Sequence, residues 1–167
     1  MTLPLTTTLH QPSDQSALVT FVRPSPFAFA VEVSMWDGEQ FFGMLNSQKV
    51  LQYKASPGEH LFIARADNWS DMKATLEAGK QYYVVAKMFP GKNMFFGIGV
   101  ALNPVLKDGD VTAEQIEGWV SSGKPRELVP EQREAFEAKL LPQVREAIGR
   151  YEAGEVEFAT LAADDNR

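Results

Sequence analysis

The chain has no cysteine and only two histidines. Without a thiolate there can be no disulfide, no cysteine-ligated metal and no cysteine nucleophile. His10 and His60 lie far apart in sequence with no supporting cluster, so they do not build a usual zinc site. Basic residues are also few. Lys and Arg number 16 against 22 Asp and Glu, giving a formal net charge of -6, and no local basic cluster reverses that balance, which argues against nucleic acid as a partner. Long apolar runs are missing as well. None approaches the roughly 18 residues of a spanning helix, and "MTLPLTTTLHQPSDQ" has neither a basic start nor an apolar stretch of about 7–15 residues. The chain as written is expected to be cytoplasmic and free of transmembrane segments. The alternative is periplasm or cell envelope, if a signal peptide has been trimmed.

What is present is a globular composition, with 44% hydrophobic residues in 167 and room for one core plus an appendage. Residues 1–16 are Thr-rich and polar and read as a flexible arm. From Ala17 onward, eight short apolar runs follow one another: "ALVTFVR", "FAVEVSMW", "QFFGML", "KVLQYKA", "HLFIARA", "MKATLE", "QYYVVAKMF" and "MFFGIGVAL". In the second, Val31, Val33 and Met35 alternate with Glu32, Ser34 and Trp36, the period of a strand with one buried and one wetter face. Asp37-Gly38, Pro57-Gly58, Ala78-Gly79-Lys80 and Pro90-Gly91 are the chemistry of tight reversals. No helical stretch interrupts these runs, so residues 17–105 are expected to form an antiparallel β-sandwich of seven or eight strands.

After Pro104 the pattern changes, and residues 106–167 read as a helical extension and tail. Thr112 and Gln115 form a capping-box pair before a helix near 112–121. A longer helix follows over 131–152, in which Phe136, Leu140, Val144, Ala147, Ile148 and Tyr151 recur at steps of three and four. Glu146 and Arg150 are spaced as an i,i+4 ion pair, and Pro142 is expected to kink or split the helix. The tail from Val156 reads as frayed.

The turn and strand order resembles that of the PEGA-like domains and, more closely, a related bacterial lipoprotein-type domain of unknown function. The matching marks are Arg23-Pro24 after the first strand, the Asp37-Gly38 hairpin, Pro57-Gly58-Glu59-His60 opening a strand, and the Ala-Gly-Lys-x-Tyr-Tyr-Val order inside Leu76 to Val84. The resemblance covers residue 17 to about residue 102. It implies an immunoglobulin-like β-sandwich, usually at the bacterial cell envelope, with no established enzymatic activity and thus no catalytic residues to carry over. The chain departs from the usual member in that no signal-peptide pattern is visible in its first 15 residues and it has no cysteine to accept a lipid.

Chemical motifs are sparse. "GWVSSGKP", Gly118 to Pro125, fits a phosphate-loop spacing but places Pro125 where a magnesium-binding Ser or Thr is needed, and it closes a helix instead of opening one. Gly97-Ile98-Gly99 lies in a strand run, where it signals a bulge or a close backbone approach. Asp108 and Asp110 read as a solvated turn, and His60 as a hydrogen-bonded structural group. No cofactor or metal is expected. The one chemical excess is apolar: Phe89, Met94, Phe95 and Phe96 crowd the Pro90-Gly91 tip, and Trp69 sits in a polar corner. With the helical stripe of Phe136 and Leu140, these are the candidate partner-binding residues, and the stripe is expected to cover Phe89, Phe95 or Phe96 within one chain or between two. The leading expectation is a non-catalytic protein-interaction or accessory module. A carbohydrate- or peptidoglycan-contacting envelope module is the alternative, with Trp36 and Trp69 as the aromatics to inspect, and a hydrolase built around His60 ranks third.

Overall fold

The computed structural model describes residues 2–3, 12–91, 97–121 and 127–167. Its strands are β1 (Thr2–Leu3), β2 (Ala17–Val22), β3 (Val33–Asp37), β4 (Gln40–Leu45), β5 (Val50–Ala55), β6 (Gly58–Arg65), β7 (Trp69–Leu76), β8 (Gln81–Pro90), β9 (Ile98–Pro104), β10 (Glu127–Leu128) and β11 (Phe158–Leu161). Two helices, α1 (Ala113–Ser121) and α2 (Pro130–Glu152), fall in the C-terminal third. No helix of the described residues is long and apolar enough to cross a membrane.

The strands form two principal sheets, ordered β5-β2-β8-β9 and β11-β7-β6-β3-β4. Asp37-Gly38 and Pro90-Gly91 fall at the antiparallel β3/β4 and β8/β9 hairpins, whereas the β6/β7 hairpin turns through Ala66, Asp67 and Asn68 without glycine. The hairpins expected at Pro57-Gly58 and Ala78-Gly79-Lys80 instead carry the chain from one sheet to the other. The expected all-antiparallel sandwich needs correction, because each sheet contains one parallel pair: β2 with β8 and β11 with β7. Turn chemistry fixes only neighbours along the chain. The parallel partners are brought together later, once intervening strands have crossed to the other sheet or the chain has passed through α2.

Apolar alternation fills the space between the sheets. Val19 and Phe21 of β2 meet Met35, Phe62 and Met72 of the facing sheet, with the rings of Phe21 and Phe62 edge-on at 5.2 Å. The outer face of the five-stranded sheet carries a second core. Trp36, Phe41, Met44 and Ile63 pack there with Leu140 and Val144 of α2, and Phe136 and Ile148 line its border. The molecule therefore has three layers: sheet, sheet and helix.

That third layer changes two expectations. Trp36, on the face read as wetter, is fully buried and donates from Nε1 to Ser34 Oγ at 3.1 Å. The surface covered by α2 is the β3-β4-β6 face, and Phe89 at the end of β8 stays 38% exposed. Phe41 and Phe42 serve opposite cores by ordinary strand alternation, whereas Phe41 and Met44, three residues apart, share one because the β3/β4 register shifts between Met35 and Trp36, with Gly43 at φ 156° opposite Met35.

The Thr112 capping box forms as expected, with Thr112 Oγ1 accepting from Gln115 N at 3.1 Å and Gln115 Oε1 accepting from Thr112 N at 2.9 Å. Pro142 does not split α2, which runs unbroken from Pro130 to Glu152. The tail is ordered where fraying was expected. Leu161 of β11 is fully buried in the inter-sheet core, Tyr82 Oη donates to Ala163 O at 2.7 Å, and Arg167 N donates to Gln81 O at 3.0 Å. Part of the N-terminal arm is also paired, since β1 runs antiparallel to β10.

Candidate functional site

The expected surface is dispersed by the fold. Leu140 is 3% exposed and Phe136 half-buried, with the Phe136 ring 5.1 Å from that of Phe41. Phe89 lies over Gly99, its cross-strand partner, where an added Cβ would come within 2.4 Å of the ring. Trp69 is half-buried beneath the Arg65 guanidinium, 5.4 Å from the ring centroid. Met94, Phe95 and Phe96 lie outside the described residues, as do His10 and the Gly123 to Pro125 part of the phosphate-loop match.

A different apolar feature stands out on the surface. Phe27 and Phe29 are 43% and 79% exposed on the loop between β2 and β3, and the loop is held by bonds from both its ends. Arg23 is fully buried. Its Nη1 donates to Val31 O at 2.5 Å and to Leu45 O at 3.1 Å, and its Nη2 donates to Ala28 O at 2.7 Å. No carboxylate among the described residues lies within ion-pair distance of it, and its Nε has no partner. Burial lowers the guanidinium pKa from its ordinary value. Desolvating a cation among neutral carbonyls is unfavourable by several kcal/mol, on the order of what a buried ion pair must recover.

Local bonds complete the brace. Val31 N donates to Ala28 O at 2.9 Å, Phe27 N to Ser25 Oγ at 3.1 Å, and Ser47 Oγ to Ser25 O at 3.1 Å. Ala28 adopts φ 57°, a left-handed conformation that is unfavourable by about 1–2 kcal/mol for a residue with a Cβ. Pro24 and Pro26 restrict the approach further. Two large apolar rings are thus presented by a backbone with few alternatives. The sequence signal is Pro-Ser-Pro immediately before Phe27-Ala28-Phe29, of which the strand reading of "FAVEVSMW" takes Phe29 and leaves Phe27 unassigned.

His60 occupies another end of the sandwich. Its Nδ1 lies 2.8 Å from Asp37 Oδ2, which also accepts from Tyr53 Oη at 2.7 Å, and its Nε2 lies 2.7 Å from Ser56 O. The imidazole stacks on Phe62 at 5.6 Å. The hydrogen bond to Asp37, more than offsetting burial, raises the His60 pKa. Burial and the same carboxylate push the Tyr53 phenol well up. Both ring nitrogens are engaged, so neither has a lone pair directed at a substrate.

Among the described residues no three His, Asp or Glu side chains gather as metal ligands. The chain matches no family model and no curated protein.

Proposed function

We propose that the chain is a non-catalytic protein-interaction or accessory module that docks through Phe27 and Phe29. One observation carries the reading: a buried arginine, bonded to three carbonyls and to no carboxylate, and a left-handed alanine brace the backbone that carries two exposed phenylalanines. Exposed aromatics on a rigid backbone suit an anchor role, because burying them in a partner's pocket costs little additional ordering. The engaged ring nitrogens of His60 favour this reading over a hydrolase.

The PEGA-like kinship and a bacterial envelope setting belong to the same proposal. Their support is that Arg23-Pro24 and Asp37-Gly38 take on identifiable structural tasks, bracing the loop and receiving His60 and Tyr53. The immunoglobulin-like reading is supported by the two-sheet layering, whereas its strand partition of A-B-E-D against C-F-G is not the order seen in these sheets. Glycan contact through a row of aromatics loses Trp36, which is buried, and keeps only Trp69.

Photocrosslinking tests the docking surface. The full chain carrying a photoreactive phenylalanine analogue at Phe29, and separately at Phe158, is irradiated in native lysate, and any captured protein is purified and titrated. The expected result is a partner captured only from position 29, with binding weakened at least tenfold by Phe27→Ser and Phe29→Ser together, equivalent to about 1.4 kcal/mol. Equal affinity of the double variant would overturn the reading.

A further inference from the structure

Asp71 lies on the outer face of β7, near the C-terminal turns of α2. It is 6% exposed, and its Oδ1 has no hydrogen-bond partner. A buried carboxylate oxygen left in this way is unfavourable, because its lost hydration is not replaced. Desolvation raises the Asp71 pKa, and the positive charge of Arg150 opposes that rise. Arg150 is exposed and makes no ion pair among the described residues. The helical pair expected between Glu146 and Arg150 is not formed, and Arg150 instead faces the same cleft as Asp71.

That cleft has a volume of about 280 Å³ and is lined by Asn68, Trp69, Asp71, Ala147, Arg150 and Glu157 among others. Asn68 is already committed, donating to Val100 O at 3.0 Å and accepting from Val100 N at 2.7 Å. Its amide therefore fixes the wall and leaves Asp71 and Arg150 to meet a ligand. Trp69 provides an aromatic surface that already accepts one cation, Arg65.

We propose that this cleft binds a free amino acid, with the ligand ammonium on the Asp71 carboxylate, whose Oδ1 is itself closed to solvent, and the ligand carboxylate on Arg150. A neutral hydroxyl could also donate to Asp71, but a charge-assisted bond is roughly twice as strong and neutralises the buried charge. A simple anion would meet Asp71 and Glu157 as like charges. A simple cation would leave Arg150 repelling it. A zwitterion satisfies both ends at once, and the volume, just below the roughly 300–1,000 Å³ of drug-sized ligand sites, suits a ligand as small as one amino acid. The indole and Ala147 supply apolar surface for its side chain, which favours leucine-like ligands.

The test uses the full chain labelled with nitrogen-15 and titrated with L-leucine, with n-butylamine and N-acetyl-leucine as single-ended controls. The readout is the Trp69 indole N–H resonance, assigned by Trp69→Phe, alongside a thermal melt of each variant. Leucine is expected to shift the resonance saturably, with both controls at least tenfold weaker. Asp71→Asn should abolish the leucine shift, and Arg150→Gln should reduce leucine to the level of butylamine. Should Asp71→Asn fail to fold, the exposed Arg150→Gln carries the test. The proposal is overturned if leucine and other amino acids give no shift up to about 10 mM, where a complex of Kd about 1 mM would be mostly filled. It is equally overturned if N-acetyl-leucine binds as well as leucine, or if Arg150→Gln leaves leucine binding unchanged.

Discussion

His60 and Asp37 share a hydrogen bond of 2.8 Å whose direction is set from the far side of the ring. Nε2 faces the Ser56 carbonyl at 2.7 Å, and a carbonyl only accepts, so Nε2 carries a proton. Nδ1 faces a carboxylate oxygen that already accepts from Tyr53, so Nδ1 carries one too. Below its raised pKa the ring is an imidazolium that ties the β3–β4 turn to the β5–β6 turn.

The pH dependence of stability follows from that charge. The folded-state pKa of His60 is raised above its ordinary 6.5, chiefly by the Asp37 bond. Its contribution is therefore fully present below about 6.5 and is lost as pH rises through the folded value. Urea midpoints measured from pH 6 upward should fall more for the native chain than for His60→Gln, in which the linkage is absent. Parallel curves for the two proteins would show that the clamp adds nothing.

Removing Leu140 should damage the second core. It is 3% exposed among Trp36, Phe41, Met44 and Ile63, so Leu140→Ala is expected to destabilise by about 2–5 kcal/mol. Leu140→Asp should exceed that, because it also buries a carboxylate with no partner. Phe136 is half-buried at the edge of the same cluster, and Phe136→Ala should be milder. Chemical denaturation followed by the fluorescence of buried Trp36 gives the order. A Phe136 effect larger than that of Leu140 would contradict the layer assignment.

Shortening the chain should cost stability even where no helix is touched. Leu161 is fully buried in the inter-sheet core, and β11 pairs with β7 through Phe158 to Leu161. Deleting residues 156–167 removes both, together with the bond from Tyr82 Oη to Ala163 O. Faster amide exchange along β7 and a lower melting temperature are expected, with Leu161→Ala reproducing most of the change. Unaltered exchange at Met72 and Ala74 would mean that β11 is dispensable.

Much of this architecture was legible because it depends on local rules. Alternation from Val31 to Trp36 marks a strand, the Gly-bearing turns mark reversals although only Asp37-Gly38 and Pro90-Gly91 lie at hairpins, and Thr112 with Gln115 marks the start of α1. What was not legible depends on long-range pairing. The stripe through Leu140 and Val144 says that α2 must be covered, but not that Trp36 and Phe41 await it, since Trp36 sits on a strand face that local alternation marks as wet and the two adjacent phenylalanines Phe41 and Phe42 do not say which faces outward. Phe158 to Leu161 is too short and too close to acidic residues to announce a strand, and no turn motif records that β2 and β8 will lie parallel. At the candidate sites, Trp69 and His60 were visible as residue types. Phe29 was hidden at the start of a strand run and Phe27 in the gap before it, and the unpartnered, buried Oδ1 of Asp71 appears only once α2 is placed over β7.

The brace around Arg23 makes a sharper prediction about the docking loop. Arg23→Met keeps the apolar stem but removes all three bonds to Ala28 O, Val31 O and Leu45 O. Because the β2–β3 loop lies partly in solvent, its released carbonyls can turn to water, and relief of the desolvated charge offsets part of the loss. The global effect should therefore be smaller than that of Leu140→Ala, while the local effect is large. Exchange of the Val31 amide, which donates to Ala28 O, is expected to accelerate at least tenfold, corresponding to about 1.4 kcal/mol of local opening. Arg23→Lys should not restore it, since one ammonium cannot reproduce a planar fork whose two nitrogens serve three carbonyls. Hydrogen exchange read by NMR decides the matter. If Val31 stays protected in Arg23→Met, then Pro24, Pro26 and the Ser25 bonds order the loop unaided, and the buried guanidinium is not what presents Phe27 and Phe29.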